Sequence, residues 1–172
     1  MMGRTHEFIG GAAWLGTLAA LPALSHAGLG GVIGGWFIAC LAALGPDIDH
    51  PQATMTKLLG PITKGINKLL LAIGVKHRGF THSLAATGLV ALIFGACVLY
   101  WHLVPWVAIA VVAGWLSHSL IDAIGKRKVQ FLWPAKGGFC MYLVSADSGI
   151  ENFLIFPLAM LANAFLFWMV IF

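Results

Sequence analysis

Eight side chains able to ligate a divalent cation, His6, Asp47, Asp49, His50, His77, His82, His118 and Asp122, all fall at the ends of apolar segments of this chain. Neutral imidazoles and carboxylates are the ligands that zinc and manganese take from proteins. His118 and Asp122 are four residues apart and so share one helix face. His77 and His82 flank a turn at Gly79, and Thr81-His82-Ser83 reads as a helix start. Asp47-Ile48-Asp49-His50 follows Gly45-Pro46, whose proline stiffens the exit from the preceding helix. Asp47 and Asp49 point to the same side only if that segment is extended. Three aspartates and five histidines exceed what one tetrahedral ion uses, so two ions are expected, with one carboxylate between them. The mixed ligand set favours Zn or Mn over Ca. Each residue taken singly has an ordinary reading as an interfacial polar group, a helix cap or an interhelical hydrogen bond. It is their convergence that points to metal.

The elements that must deliver them are membrane helices. The 172 residues are 60% hydrophobic and 9% charged, with a mean hydropathy of +0.91, whereas soluble domains carry roughly a quarter charged residues. Apolar runs at 8–24, 28–45, 83–101, 105–121 and 152–172 each approach the span of a hydrocarbon core. The expected fold is all-α: one polytopic bundle of about five transmembrane helices over residues 1–172, with no internal repeat and no soluble second domain. The first run is read as a span rather than a cleaved leader, because another long apolar segment follows almost at once. Gly10, Gly11, Gly16, Gly30, Gly31, Gly34 and Gly35 make the first two runs a close-packing pair. Cys40, Cys97 and Cys140, odd in number, read as small hydrophobes rather than a disulfide framework. No dense basic tract suggests nucleic acid.

The connections alternate in charge. Residues 46–82 hold Lys57, Lys64, Lys68, Lys76 and Arg78, and residues 122–151 hold Lys126, Arg127, Lys128 and Lys136, whereas 25–27 and 102–104 hold no Lys or Arg. The positive-inside rule therefore keeps the N-terminus and both long connections cytoplasmic. Residues 56–73 place Leu58, Ile62, Ile66, Leu69 and Ile73 at helical spacing opposite Lys57, Lys64 and Lys68, which predicts an interfacial helix on anionic headgroups, interrupted at Gly60-Pro61. Residues 126–149 read as an irregular loop or short hairpin over the same face. This topology puts all eight candidate ligands, and Glu151 at the start of the last run, at the cytoplasmic boundary. His26 and His102 fall on the other side.

GPDIDHP at 45–51, HRGFTHS at 77–83, and HSLID at 118–122 followed by FLWP at 131–134 resemble the membrane-bound metal-dependent hydrolase family. That family includes a DNA-damage-inducible bacterial inner-membrane protein. The resemblance spans nearly the whole chain, early His6 included, and implies a polytopic helical protein of the bacterial inner membrane with hydrolase activity, similar in ligand style to zinc-dependent phospholipase C. It implies metal-ligand roles for Asp47, Asp49, His50, His77, His82, His118 and Asp122, with His6 beside them. After HSLID, where family members often carry a hydroxyl residue, this chain has Gly125 followed by Lys126-Arg127-Lys128.

The reading that follows is a hydrolase acting on a phosphoester or other ester of a lipid or membrane-proximal substrate. Asp47 or Asp49 bridges the ions, the other aspartate or Glu151 serves as general base, and Arg78 holds a phosphate or contacts a lipid headgroup. The alternatives are a divalent-metal transporter or sensor with the same ligands, and a structural protein whose polar cluster locks helices together. Transport needs ionisable groups near the bilayer midplane, and the apolar runs hold almost none at their centres.

Overall fold

In the computed structural model, which describes residues 1–72 and 74–172 and only the backbone of Pro22 and Ser25, regular structure is helical apart from two isolated bridges between extended residues. Five long helices overlie the five apolar runs: α1 (Gly3–Ala20), α2 (Gly28–Ala42), α5 (Leu84–Tyr100), α6 (Trp106–Asp122) and α7 (Phe156–Ile171). The last is entered through a π-helical turn, Glu151–Ile155. Two stretches, Gly28–Asp49 and Glu151–Ile171, are long and apolar enough to cross a membrane. Leu84–Tyr100 and Trp106–Asp122 are shorter apolar helices.

Helices α1, α2 and α6 pack on one another, α7 lies on α1, and α5 lies on α6. Trp14, Leu15, Leu18, Val32, Ala39 and Ala110 form the buried apolar cluster. One close approach sets the site. A side chain on Gly114 of α6 would collide with the Ala39 carbonyl of α2, and one turn further along the same two helices His118 Nδ1 meets the Ala43 carbonyl oxygen at 2.6 Å. The missing Cβ at Gly114 therefore lets the two backbones close enough for that bond.

Outside the cluster the usual distribution is inverted. Phe37, Leu92, Leu99 and Phe153 are exposed, while His6, Asp49, His82, His118, Asp122 and Glu151 are buried. Lipid solvates apolar surface, and polar groups turn inward to find partners. Asn163 shows the same rule within α7: its amide donates to the Phe8 and Ala159 carbonyls, and its oxygen accepts from Trp36 Nε1 at 2.6 Å.

The amphipathic segment is two helices, α3 (Thr54–Leu59) and α4 (Pro61–Ala72), broken at Gly60 in the left-handed region (φ 58°) with Pro61 opening the second. It divides three ways. Thr56, Thr63 and Asn67 face the protein, Thr56 Oγ1 donating to His50 O and Asn67 Nδ2 to Ile48 O. Leu58, Ile62 and Leu69 face outward with Lys57, Lys64 and Lys68 exposed beside them. Ile73, the last member of the apolar pattern, lies outside the described residues. The 126–149 loop pairs Val129 with Phe139 and Gly125 with Val144, and Gln130 N donates to Arg78 O, fastening the loop over the ligand-bearing end.

Candidate metal centre

The chain leaves α2 through a 3-10 turn, Pro46–Asp49. Residues in such a turn rotate by about a third of a circle each, so Asp47 and Asp49 diverge instead of sharing one side as an extended segment would have them. Asp47 Oδ1 lies 3.4 Å from Nε2 of both His82 and His118. Asp49 turns the other way. Its Oδ1 accepts from His77 Nδ1 at 2.7 Å and its Oδ2 from Thr81 Oγ1 at 2.6 Å.

These bonds fix which imidazole nitrogens carry protons. The Ala43 carbonyl can only accept, so His118 Nδ1 is the N–H. Thr81 has given its one proton to Asp49, so its Oγ1, 3.0 Å from His82 Nδ1, accepts there as well. His77 Nδ1 donates to Asp49. In its neutral form each of the three rings keeps a lone pair on Nε2, and each is held through its other nitrogen as metal-bound histidines are.

Those lone pairs converge. His82 Nε2 and His118 Nε2 are 3.1 Å apart, each is 3.4 Å from Asp47 Oδ1, and Asp122 Oδ2 lies 3.7 Å from the first and 3.9 Å from the second. Ligands about 2.0–2.1 Å from a tetrahedral ion stand roughly 3.3–3.4 Å from one another. Five edges of that tetrahedron are thus within about half an ångström of the required length. Four acceptors facing one another repel, and either a proton shared between the two Nε2 atoms at 3.1 Å or a bound cation relieves that repulsion.

Two groups of three ligand atoms, each within 4.8 Å, share this centre: His6, His118 and Asp122, and Asp47, His77 and His82. His6 stacks on His118 with ring centroids 3.7 Å apart. Neither of its buried ring nitrogens has a hydrogen-bond partner, and Nε2 is 3.3 Å from Asp122 Oδ1. Burial pushes the His82 imidazole below its ordinary pKa range, with Asp47 opposing, which favours the neutral ring a metal requires.

The remaining candidates take other places. His50 lies beside His77, centroids 4.9 Å apart, with Nδ1 accepting from Gln52 N. Arg78, in the left-handed region at φ 64°, pairs with Asp122 Oδ2 at 2.9 Å, and the Met1 amino nitrogen is 2.8 Å from Oδ1. Glu151 is fully buried with its oxygens accepting from Met2 N and Asp147 N at 2.6 and 2.7 Å. It ties the start of α1 to the start of the last helix, both oxygens engaged by backbone amides. His26 and His102 are exposed in the connections after α1 and α5, at the ends away from His6 and His82. Thr81 and the Ala43 carbonyl, which set the tautomers, went unnoticed in the sequence. Thr81, one residue before a candidate ligand, is the only one of the two with any signal there.

The family model of the YdjM inner membrane proteins matches residues 1–172. The chain belongs to that family. It is 36% identical over 119 residues to the inner membrane protein YdjM of Escherichia coli K12, a match covering 67% of this chain and 58% of that relative, and equally to YdjM of Shigella flexneri. The chain thus spans less than two thirds of the length of the curated relatives it matches. No solved structure matches. Residence in the inner membrane follows from membership of the YdjM family.

Proposed function

We propose that this chain is a membrane-bound metal-dependent hydrolase that holds two divalent ions, zinc or manganese, and cleaves a phosphoester or other ester of a lipid or membrane-proximal substrate at the cytoplasmic face. The observation that carries the reading is the convergence of unprotonated Nε2 atoms and carboxylate oxygens at ligand-to-ligand separations. His82, His118, Asp47 and Asp122 would hold one ion, and His77, grouped with Asp47, would help hold the second. Asp47, equidistant from His82 and His118, is the carboxylate suited to bridge them. Asp49 is better suited to a positioning role, orienting His77 directly and His82 through Thr81. With both oxygens on backbone amides, Glu151 fits an anchor rather than the general base. Ions in such a site lower the pKa of water toward 7 and offset charge on phosphoryl oxygens.

Five crossings with a cytoplasmic N-terminus fit this reading. Five helices overlie the apolar runs, and the basic connections flank the ligand-bearing end. Reporter fusions after Ala27 and Val104 should then report the outer face, and fusions after Ala72 and Lys136 the cytoplasm.

The test is elemental analysis of protein purified in detergent, followed by hydrolysis assays on phospholipids and isoprenoid phosphates. Two ions per chain, lost together with activity in His118→Ala, are expected. Wild-type protein that takes up no divalent ion, or a His118→Ala variant with unchanged metal, would overturn the assignment. Full metal without hydrolysis of any ester would favour a sensor or transporter.

A further inference from the structure

We infer that the substrate carries two anionic groups, a phosphoryl group at the metal centre and a second held by Lys126 and Arg127, as in a diphosphate. This rests on the metal-centre reading and specifies its substrate. A cavity of about 500 Å³ opens beside the centre, its lining including Asp47, His50 and His77 together with Arg78, Lys126 and Arg127. That volume suits a headgroup or small molecule. Met1 and Val144 are the only large apolar side chains among the described residues of the lining, and charged and polar groups make up most of the rest, which suits a polar head.

The cations are placed and not merely present. Gly125 N bonds back to Asp122 O at 3.0 Å, and Gly125 O accepts from Tyr142 N at 3.2 Å, so Lys126 starts from a backbone tied both to a candidate ligand and to the facing strand of the loop. The Arg127 carbonyl accepts from Arg78 Nη1 at 3.3 Å, fixing Arg127 against the guanidinium that reaches Asp122. Arg78 Nε is buried without a hydrogen-bond partner while Nη2 reaches Asp122 Oδ2 at 2.9 Å, which holds this guanidinium beside the ligand carboxylates. Candidate ligands and three cations thus line one cavity; Arg78 is committed to Asp122, and the exposed Lys126 and Arg127 offer charge for a second anionic group linked to the one at the metal.

The experiment uses manganese-saturated full-length protein in detergent, with inorganic phosphate and inorganic pyrophosphate titrated calorimetrically and metal content measured before and after. Pyrophosphate is expected to bind wild type at least about tenfold more tightly than phosphate, as one added charge-assisted contact implies. The Lys126→Gln/Arg127→Gln double variant should lose that preference while keeping its metal, and Lys126→Gln alone should lose part of it. Equal binding of the two anions by metal-loaded wild type, or a preference surviving in the metal-loaded double variant, overturns the inference. Absence of metal from wild type instead overturns the metal-centre reading itself. Geranylgeranyl diphosphate in mixed micelles separates the sources: tighter binding than pyrophosphate marks a lipid-linked diphosphate, and equal binding a soluble one.

Discussion

Replacing Thr81 with valine tests whether the hydrogen bonds behind the imidazoles serve the metal centre or merely the fold. The change is nearly isosteric, yet it removes the oxygen that accepts from His82 Nδ1 at 3.0 Å and donates to Asp49 at 2.6 Å. Without it His82 either buries an unpaired N–H or moves the proton to Nε2, where it would face His118 Nε2 and exclude a cation. Loss of such an orienting partner typically costs 10- to 100-fold in metal affinity, about 1.4–2.7 kcal/mol. His77 keeps its own bond to Asp49, so part of the site survives and the loss should stay within that range. Competition with a fluorescent chelator gives the affinity, and the Tm of metal-free protein gives the folding cost separately. Thr81→Ser keeps the hydroxyl and should bind metal within a few-fold of wild type. Wild-type affinity in Thr81→Val, or an equal loss in Thr81→Ser, would refute the reasoning.

Gly114→Val forces a side chain onto the Ala39 carbonyl, so α6 must shift from α2 and His118 must lose the Ala43 bond; overpacking of this kind costs about 1–3 kcal/mol, read as a lower Tm together with weakened metal binding. Asn163→Ala breaks three hydrogen bonds, one buried and two partly buried, none of them to a candidate ligand, and should destabilise the fold by about 1–3 kcal/mol, read as a lower Tm with metal affinity unchanged. For pH, the folded His82 pKa lies below its unfolded value because burial disfavours the imidazolium, so its contribution to stability is present above the unfolded value of about 6.5 and is lost as pH falls. Thermal melts of metal-free protein should therefore show a falling Tm below about pH 6.5, shallower in His82→Gln. Chelator treatment of purified protein should lower the Tm of wild type and leave that of His118→Ala almost unmoved, since the variant has less bound metal to lose.

The helices were legible because hydropathy and length are local. Each of the five apolar runs became a helix within a few residues of its expected ends, and Gly60-Pro61 broke the amphipathic segment where those residue types must. The direction of that segment was not legible: spacing separated Lys57, Lys64 and Lys68 from the leucines, but only packing showed that Thr56 and Asn67 bond to the Pro46–His50 turn.

What the sequence by itself determined is that scarce imidazoles and carboxylates lie at the ends of apolar segments, since the cost of burying charge in hydrocarbon keeps such residues out of their centres. What only the tertiary structure decided is the division of labour among them. Whether an aspartate ligates or orients depends on a turn's pitch, which sends Asp47 toward His82 and His118 and Asp49 toward His77 and Thr81. Which imidazole nitrogen carries the lone pair depends on Ala43, Thr81 and Asp49, and Ala43 is 75 residues from the His118 it sets. Hydrogen-bond direction is a property of neighbours in space, and it appears only once the helices have packed.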